Sequence, residues 1–233
     1  MAFDRQVFQQ RTITAFFFAA VMLFGLCWST WSFVLLVMII HAGCWVEYQR
    51  LYSLFRFPIR YLLLGFLYLS LSWALFIDLK MQDPLASAAA TSLPVLCLFA
   101  LACMWINDTM AYLVGSFIGR TPLSPVSPKK TWEGTLGGVV LTVLIAGALL
   151  PRLIASNLLP GVSMPLRSLD GYLMALLAAA FGTAGDLFES KLKRMAGVKD
   201  SGRILPGHGG WLDRFDSLLW GTPVIWIYVR VFL

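Results

Sequence analysis

Acidic and basic side chains are concentrated in one polar segment, residues 186–216, of a chain that is otherwise strongly apolar. Carboxylate oxygens are the usual ligands of hard divalent cations, and Lys and Arg side chains bind phosphate oxygens. The two signs of charge are nearly balanced here, whereas a patch that only bound anionic lipid would be plainly basic. The segment therefore predicts a site for a metal ion and a phosphate-bearing substrate. Its charged residues are Asp186, Glu189, Lys191, Lys193, Arg194, Lys199, Asp200, Arg203, Asp213, Arg214 and Asp216.

The spacing of these residues predicts two helix ends that carry carboxylates. One set follows an i, i+3, i+4, i+7 pattern, so that its members share one face if the preceding apolar span continues as a helix: Asp186, Glu189, Ser190 and Lys193. Asp213 and Asp216 repeat the i, i+3 relation where the last apolar span begins. Ionisable groups at membrane depth are costly and favour a functional role, with structural ion pairs as the alternative. We expect the two helix ends to converge.

The loop between these helix ends contains "PGHGG", residues 206–210. Glycines at 209 and 210 allow successive backbone N–H groups to face an anion, and the following helix start adds its positive dipole end. We therefore predict that His208, Gly209 and Gly210 contact phosphate.

A second polar cluster lies at residues 108–138 and includes "SPKKTWEG". The residue before a proline avoids the helical region, so Ser127 and Pro128 should be extended and a helix should start near Lys129, Lys130 and Thr131. Two lysines and a hydroxyl at a helix start would bind a triphosphate or pyrophosphate. The alternative is a pair of lysines that extend to the membrane surface and anchor the next span. Asp108 is a further candidate ligand, or a charge at a helix end.

The elements that position these residues are membrane-spanning helices. The chain is 59% hydrophobic and 13% charged, with a mean hydropathy of +0.76, and a soluble domain of this size could not bury so many apolar runs. We predict an all-α, polytopic helical bundle with about seven to nine transmembrane segments. The first span is expected to be retained, because no small-residue cleavage site follows it. The apolar runs lie near residues 13–28, 31–48, 57–77, 85–106, 134–155, 170–188 and 217–233, and a short one, 107–119, is predicted to be re-entrant or broken.

The distribution of Lys and Arg predicts the orientation of the bundle. If the N-terminus is cytoplasmic and the short segment does not cross, fourteen basic residues lie inside and four lie outside. The outside four are Lys80, Arg152, Arg167 and Arg230. Both polar clusters then face the cytoplasm and can form one site.

The chain is predicted to form one domain, residues 1–233, in which the spans of residues 1–84 are mainly scaffold and residues 85–233 carry the site. Gly134 and Gly138 form a GxxxG pair that favours close helix packing over ligand contact. His41 lies between apolar residues and is expected to pack with one hydrogen bond. The four cysteines lie in apolar segments without a CxxC pair, which favours a packing role.

The stretch "SKLKRMAGVKDSGRILPGHGGWLDRFD", residues 190–216, resembles the signature of the phosphatidate cytidylyltransferases, or CDP-diacylglycerol synthases. "DTMAYLVGSFIGRTPLSPVSPKKTWEGTLGG" resembles the second motif of this family, and "QQRTITA" resembles its usual start. The chain is shorter than many members, and a divergent relative with another lipid substrate stays open. The residues that match the signature are Ser190, Lys193, Arg194, Lys199, Asp200, Pro206, His208, Gly209, Gly210, Asp213, Arg214 and Asp216.

The resemblance implies an integral membrane enzyme that converts CTP and phosphatidate to CDP-diacylglycerol and pyrophosphate at the cytoplasmic face. It implies Mg²⁺ held by Asp213 with Asp186, with Asp216 as the next ligand, and a monovalent ion such as K⁺ beside it. His208 is expected to hydrogen-bond a phosphate. No nucleic acid partner is expected, and a homodimer is one assembly open to the chain. The side chains expected to bind the β- and γ-phosphates are Lys129, Lys130, Lys193, Arg194 and Arg214.

Three other functions stay open at this point. A CTP-dependent kinase of polyprenol or another lipid alcohol would share nucleotide, metal and membrane, but would release CDP rather than pyrophosphate. A cation transporter would also place carboxylates at membrane depth, although here the charges cluster at one side rather than at the midplane. A catalytically silent scaffold should have lost the metal carboxylates, and this chain keeps them.

Overall fold

The structure is a computed structural model that describes residues 5–81, 94–155, 167–202 and 209–233. The described residues are mostly helical. The helices are α1 (Arg5–Cys27), α2 (Thr30–Tyr52), α3 (Pro58–Gly65), α4 (Ser72–Met81), α5 (Val95–Ile118), α6 (Trp132–Ala155), α7 (Ser168–Met195) and α8 (Leu212–Phe232). A π-helical turn, Phe66–Leu71, joins α3 to α4 into one continuous helical segment.

Several of the described helices have the length and composition of membrane spans. Five segments are long and apolar enough to cross a bilayer: Thr30–Tyr52, Pro58–Met81, Val95–Ile118, Trp132–Leu149 and Leu169–Met195. The apolar part of α1, Phe16–Cys27, is shorter. Large apolar side chains cover the outer surface, and Trp31 and Phe117 are 83% and 84% exposed. Exposure of so large an apolar surface to water is unfavourable, so the chain is an all-α membrane protein.

Helix α5 corrects the predicted boundaries of the fourth span. The sequence placed a span at 85–106 and a separate broken segment at 107–119, but α5 runs without interruption from Val95 to Ile118. The predicted span ends just before Asn107 and Asp108, and one interpretation of Asp108 was a charge at that helix end. Asn107 is instead buried in mid-helix and donates to Thr183 Oγ1 of α7 at 3.1 Å. A polar residue that bonds to a neighbouring helix can therefore lie in the middle of its own helix.

The start of α6 also differs from the prediction. Lys129, Lys130 and Thr131 lie on a short strand, β2 (Ser127–Thr131), and the helix begins only at Trp132. This strand pairs antiparallel with β1 (Pro122–Ser124), so that Thr131 lies opposite Pro122. Thr131 Oγ1 accepts the backbone N–H of Gly134 at 3.1 Å and so caps α6. The extended conformation predicted for Ser127 and Pro128 is confirmed.

Two packing predictions are confirmed. A Cβ at Gly134 or Gly138 would collide with the backbone or Cβ of Ala111, so both glycines allow close contact of α6 with α5. His41 Nε2 lies 3.1 Å from Ser70 Oγ, which also accepts from Trp45 Nε1 at 3.0 Å. These bonds join α2 to the π-helical turn.

The two ends of the bundle carry different polar residues. At one end lie the last turns of α7 and the first turn of α8. At the other, Asp78 pairs with Arg230, and Tyr228 donates to Asp170 at 2.7 Å. The four basic residues predicted to lie outside belong to this second end, in the last turns of α4, α6 and α8 and at the start of α7. The core between the ends is apolar and includes Phe33, Tyr48, Phe76, Phe215 and Leu219.

Candidate active site

Three carboxylates converge where α7 ends and α8 begins. Asp186 and Glu189 are on α7 and Asp216 is on α8, and one ligand oxygen from each lies within 4.8 Å of the others. Glu189 is fully buried and Asp216 is 8% exposed, whereas Asp186 is partly open. The predicted convergence of the two helix ends is therefore present in the structure. We call these three residues the carboxylate cluster.

Two lysines contact the carboxylate cluster from its edges. Lys130 pairs with Asp186, and Lys193 pairs with Glu189 through Oε2. Among the described residues Glu189 Oε1 has no hydrogen-bond partner, although it is shielded from water. A buried carboxylate oxygen without a donor is costly. The cluster thus has the donor chemistry and the unmet demand for positive charge that suit a hard divalent cation.

Asp213 lies beside the carboxylate cluster and has different partners. Its Oδ1 accepts from Lys193 Nζ at 2.7 Å, and its Oδ2 accepts the backbone N–H groups of Gly210 at 2.8 Å and Ser201 at 3.0 Å. Burial raises the pKa of Asp213, but these donors more than offset that effect, and the pKa lies below its ordinary value. Asp213 therefore holds the two ends of the loop against α8 as a carboxylate.

A cavity of about 450 Å³ opens next to the carboxylate cluster. Lys129 and Lys130 line it from β2, Asp108 lines it from α5, and Asp186 lines it from α7. Residues from both polar sequence clusters therefore line one cavity, as predicted from the cytoplasmic orientation that the two clusters share. Other residues that line it are Asn107, Tyr112, Ser116, Thr131, Thr135 and Thr183. Cations on one wall and a carboxylate cluster at its edge fit a polyphosphate with a metal ion.

Other predicted site residues lie around this cavity or at the surface. Ser190 Oγ donates to Asp186 at 3.3 Å. Arg194 is exposed and donates to the backbone carbonyls of Val126 and Val198, which joins the hairpin to the end of α7. Lys199, Asp200 and Arg214 are exposed, and Ser127 is half-buried.

We call residues 201–210, which precede α8, the glycine loop. His208 lies outside the described residues. Gly209 has a φ of +81°, in the left-handed region that favours glycine. The N–H of Gly210 was expected to face phosphate, but it donates to Asp213 instead. The reason is local: Asp213 is in the first turn of α8, and a carboxylate there accepts free N–H groups at the helix start.

The profile of the cytidylyltransferase family matches residues 92–232 of this chain. The chain belongs to the cytidylyltransferase family. A phosphatidate cytidylyltransferase of Staphylococcus aureus strain COL is 35% identical over 210 residues, which are 84% of this chain and 76% of the relative. The carboxylate cluster, both lysines of β2 and the glycine loop all lie within the cytidylyltransferase match.

Two further relatives share a shorter part of their length with this cytidylyltransferase family member. The phosphatidate cytidylyltransferase of Synechocystis is 43% identical over 136 residues, 58% of this chain and 43% of the relative. That of Bacillus subtilis strain 168 is 42% identical over 135 residues, 58% of this chain and 47% of the relative. The aligned part is thus less than half the length of these two relatives.

The structure adds residues that sequence reasoning did not assign to the site. Glu189 belonged to the predicted helix face, but only the tertiary structure brings it between Asp186 and Asp216. Asn107 and Thr183 form a buried polar contact beside the cavity, and Asn107 Oδ1 has no hydrogen-bond partner among the described residues. The available signal for Asn107 was a polar side chain inside an apolar run, where a functional role is the default expectation.

Proposed function

We propose that this protein transfers CMP from CTP to phosphatidate, giving CDP-diacylglycerol and pyrophosphate. One observation carries the proposal: the carboxylate cluster meets the lysine-lined cavity at one end of a membrane-embedded bundle. A nucleotide arrives from water, while the acyl chains of phosphatidate stay in the bilayer. A site at a bundle end serves both substrates.

The proposed step exchanges one phosphorus–oxygen bond for another. A phosphate oxygen of phosphatidate attacks the α-phosphorus of CTP, and the bond from that phosphorus to the oxygen bridging the β-phosphate breaks. Pyrophosphate leaves with the electron pair. The second pKa of a phosphomonoester is about 6, so the attacking oxygen is largely deprotonated at neutral pH and needs no strong base. Positioning and charge neutralisation then account for the catalysis.

The carboxylate cluster is proposed to hold Mg²⁺, with Asp186 and Asp216 as predicted and Glu189 as a third ligand. Bound there, Mg²⁺ would offset negative charge on the phosphate oxygens as pyrophosphate leaves. Asp213, first predicted as a primary ligand, is assigned instead to orienting Lys193 and the glycine loop, because its oxygens already accept from those groups. Asp108 lines the cavity and stays a candidate ligand of the same metal ion, as the sequence predicted. A second cation such as K⁺ stays a prediction.

Lys129 and Lys130 are proposed to bind the β- and γ-phosphates, because both line the cavity from a strand that pairing holds in place. Lys130 already contacts Asp186, so the same ammonium group would link metal ligand and leaving group. Arg194 and Arg214 are exposed near this end and would add positive charge there. His208 is proposed to donate to a phosphate oxygen.

The fold is proposed to cross the membrane seven times, with the site end in the cytoplasm. The positive-inside bias supports this orientation, since the four basic residues assigned outside belong to helix ends away from the site. Dimerisation stays a prediction.

The reaction is tested with the purified full chain in detergent, dioleoyl phosphatidate, Mg²⁺ and CTP labelled in the cytidine. We expect label in the lipid extract and one pyrophosphate per labelled lipid, and Asp186→Asn should abolish both. A parallel reaction supplies a lipid alcohol in place of phosphatidate, and there a lipid-alcohol kinase would pass the γ-phosphate to the alcohol and leave the label in water as CDP. Labelled CDP without labelled lipid would overturn the proposal.

A further inference from the structure

Glu47 of α2 lies in the half of the chain that the sequence assigned to scaffold, outside the residues of the family match. Its side chain is fully buried. Rather than facing an apolar helix, its carboxylate accepts three hydrogen bonds from the loop and from the start of α8. The donors are Ser201 Oγ at 2.7 Å, the Trp211 N–H at 3.0 Å and the Leu212 N–H at 2.9 Å.

These bonds fix both ends of the glycine loop on α2. Ser201 precedes residues 203–208 in the chain, and Trp211 and Leu212 follow them. Gly202 and Gly210 pack directly against the Glu47 carboxylate, and a Cβ at either position would overlap it. A negative charge at the N-terminal end of α8 also interacts favourably with the helix dipole. The Glu47 carboxylate therefore fits the two glycines and the start of α8 in shape, hydrogen bonding and charge.

Ser201 links Glu47 to the candidate active site. Its hydroxyl donates to Glu47, while its backbone N–H donates to Asp213 at 3.0 Å. Asp213 in turn accepts from Lys193, which pairs with Glu189 of the carboxylate cluster. Glu47 thus supports the cluster without touching it.

We propose that Glu47 is a positioning residue for catalysis, which holds Ser201 and the first turn of α8 so that Asp213 and Asp216 face α7. The inference rests on the proposed function for its kinetic readout. The proposal gives helix α2 a role in positioning residues of the candidate active site.

The main test compares Glu47→Gln with a matched control, Asp170→Asn. Gln keeps the volume but replaces one acceptor oxygen with a donor, which then faces a donor N–H or O–H. Asp170 is also buried near a helix start and also accepts one backbone N–H, from Arg167 at 2.8 Å, and one hydroxyl, from Tyr228. It lies at the opposite end of the bundle.

We expect Glu47→Gln to lower kcat at least tenfold and to raise the Mg²⁺ concentration for half-maximal rate at least threefold, with the KM for CTP changed less than threefold. Asp170→Asn should leave all three constants within twofold of wild type. Equal kinetic losses in both variants would overturn the proposal, because they would report stability alone. Unchanged kinetics in Glu47→Gln would overturn it as well.

Two further measurements keep the inference testable if Glu47→Gln does not fold or if the proposed reaction fails. Ser201→Ala removes only the hydroxyl bridge, and we expect a three- to tenfold loss of kcat with a raised Mg²⁺ requirement; wild-type kinetics would contradict the proposal. Hydrogen–deuterium exchange needs no activity. Glu47→Gln, or Ser201→Ala in its place, should speed exchange in peptides covering residues 199–212, whereas Asp170→Asn should not, and equal protection in all proteins would refute the positioning role.

Discussion

Asp216→Asn gives the sharpest test of the carboxylate cluster, because the structure predicts opposite effects on stability and on activity. Asp216 is 8% exposed and lies within 4.8 Å of Asp186 and Glu189. The described ion pairs place Lys130 on Asp186 and Lys193 on Glu189, so Asp216 gains least from the two lysines. Asn keeps the shape and removes the charge.

The size of the effect follows from the distance. Two unit charges 4.8 Å apart repel by about 3.5 kcal/mol at an effective dielectric constant of about 20. Where all three carboxylates are ionised, Asp216 has two such neighbours. The two lysines, and any proton that the metal-free cluster takes up, offset part of the repulsion, so we expect a net gain on the order of 1–2 kcal/mol in the metal-free protein. For a chain of this length, each kcal/mol shifts Tm by roughly 2–4 °C.

Thermal unfolding in detergent with and without Mg²⁺ provides the assay. Wild type should gain stability with Mg²⁺, by about 2.7 kcal/mol at a hundredfold excess over Kd. Asp216→Asn should have a higher Tm than wild type without Mg²⁺, little further rise with it, and no CTP-dependent turnover. Asp170→Asn is the control and should have a lower Tm in both conditions while keeping the Mg²⁺ response.

Two results would refute this reasoning. A metal-free Tm of Asp216→Asn below that of wild type would mean that the carboxylate is a satisfied structural group. A Mg²⁺ response equal to that of wild type would remove Asp216 from the metal site.

Three further predictions follow from the described contacts. Lys129→Ala should lower kcat by tens to hundreds fold, and Lys130→Ala by more, because Lys130 also pairs with Asp186; steady-state kinetics with CTP checks the order, and a reversed order would contradict it. Asp213→Asn should abolish turnover yet keep the Mg²⁺-induced rise in Tm, since its oxygens accept from Lys193 and backbone N–H groups rather than join the carboxylate cluster; loss of that rise would return Asp213 to the metal ligands. Cysteines at Ser127 and at the exposed Lys199 in a Cys-free background should react with a membrane-impermeant maleimide from the cytoplasmic side only, and labelling from the other side would refute the orientation.

The local pattern of residues predicted much of this protein. Long apolar runs predicted a helical membrane bundle because a bilayer leaves backbone groups no partner outside a helix. The i, i+3 spacing of Asp186 and Glu189 predicted one helix face, since helical periodicity depends only on sequence separation. The Ser127–Pro128 pair predicted an extended segment for the same local reason.

Tertiary structure decided where polar residues inside apolar runs belong. Asn107 lies inside an apolar run, and its partner Thr183 is 76 residues further along the chain, so no local pattern predicts the hydrogen bond between them. Glu47 is 154 residues from Ser201, and its three partners are loop and helix-start donors whose position no local pattern fixes. Hydrogen bonds between distant segments depend on how helices are arranged, whereas sequence periodicity reports only one helix at a time. The chemistry of the site could therefore be predicted from residue types, while its geometry and the role of α2 required the assembled bundle.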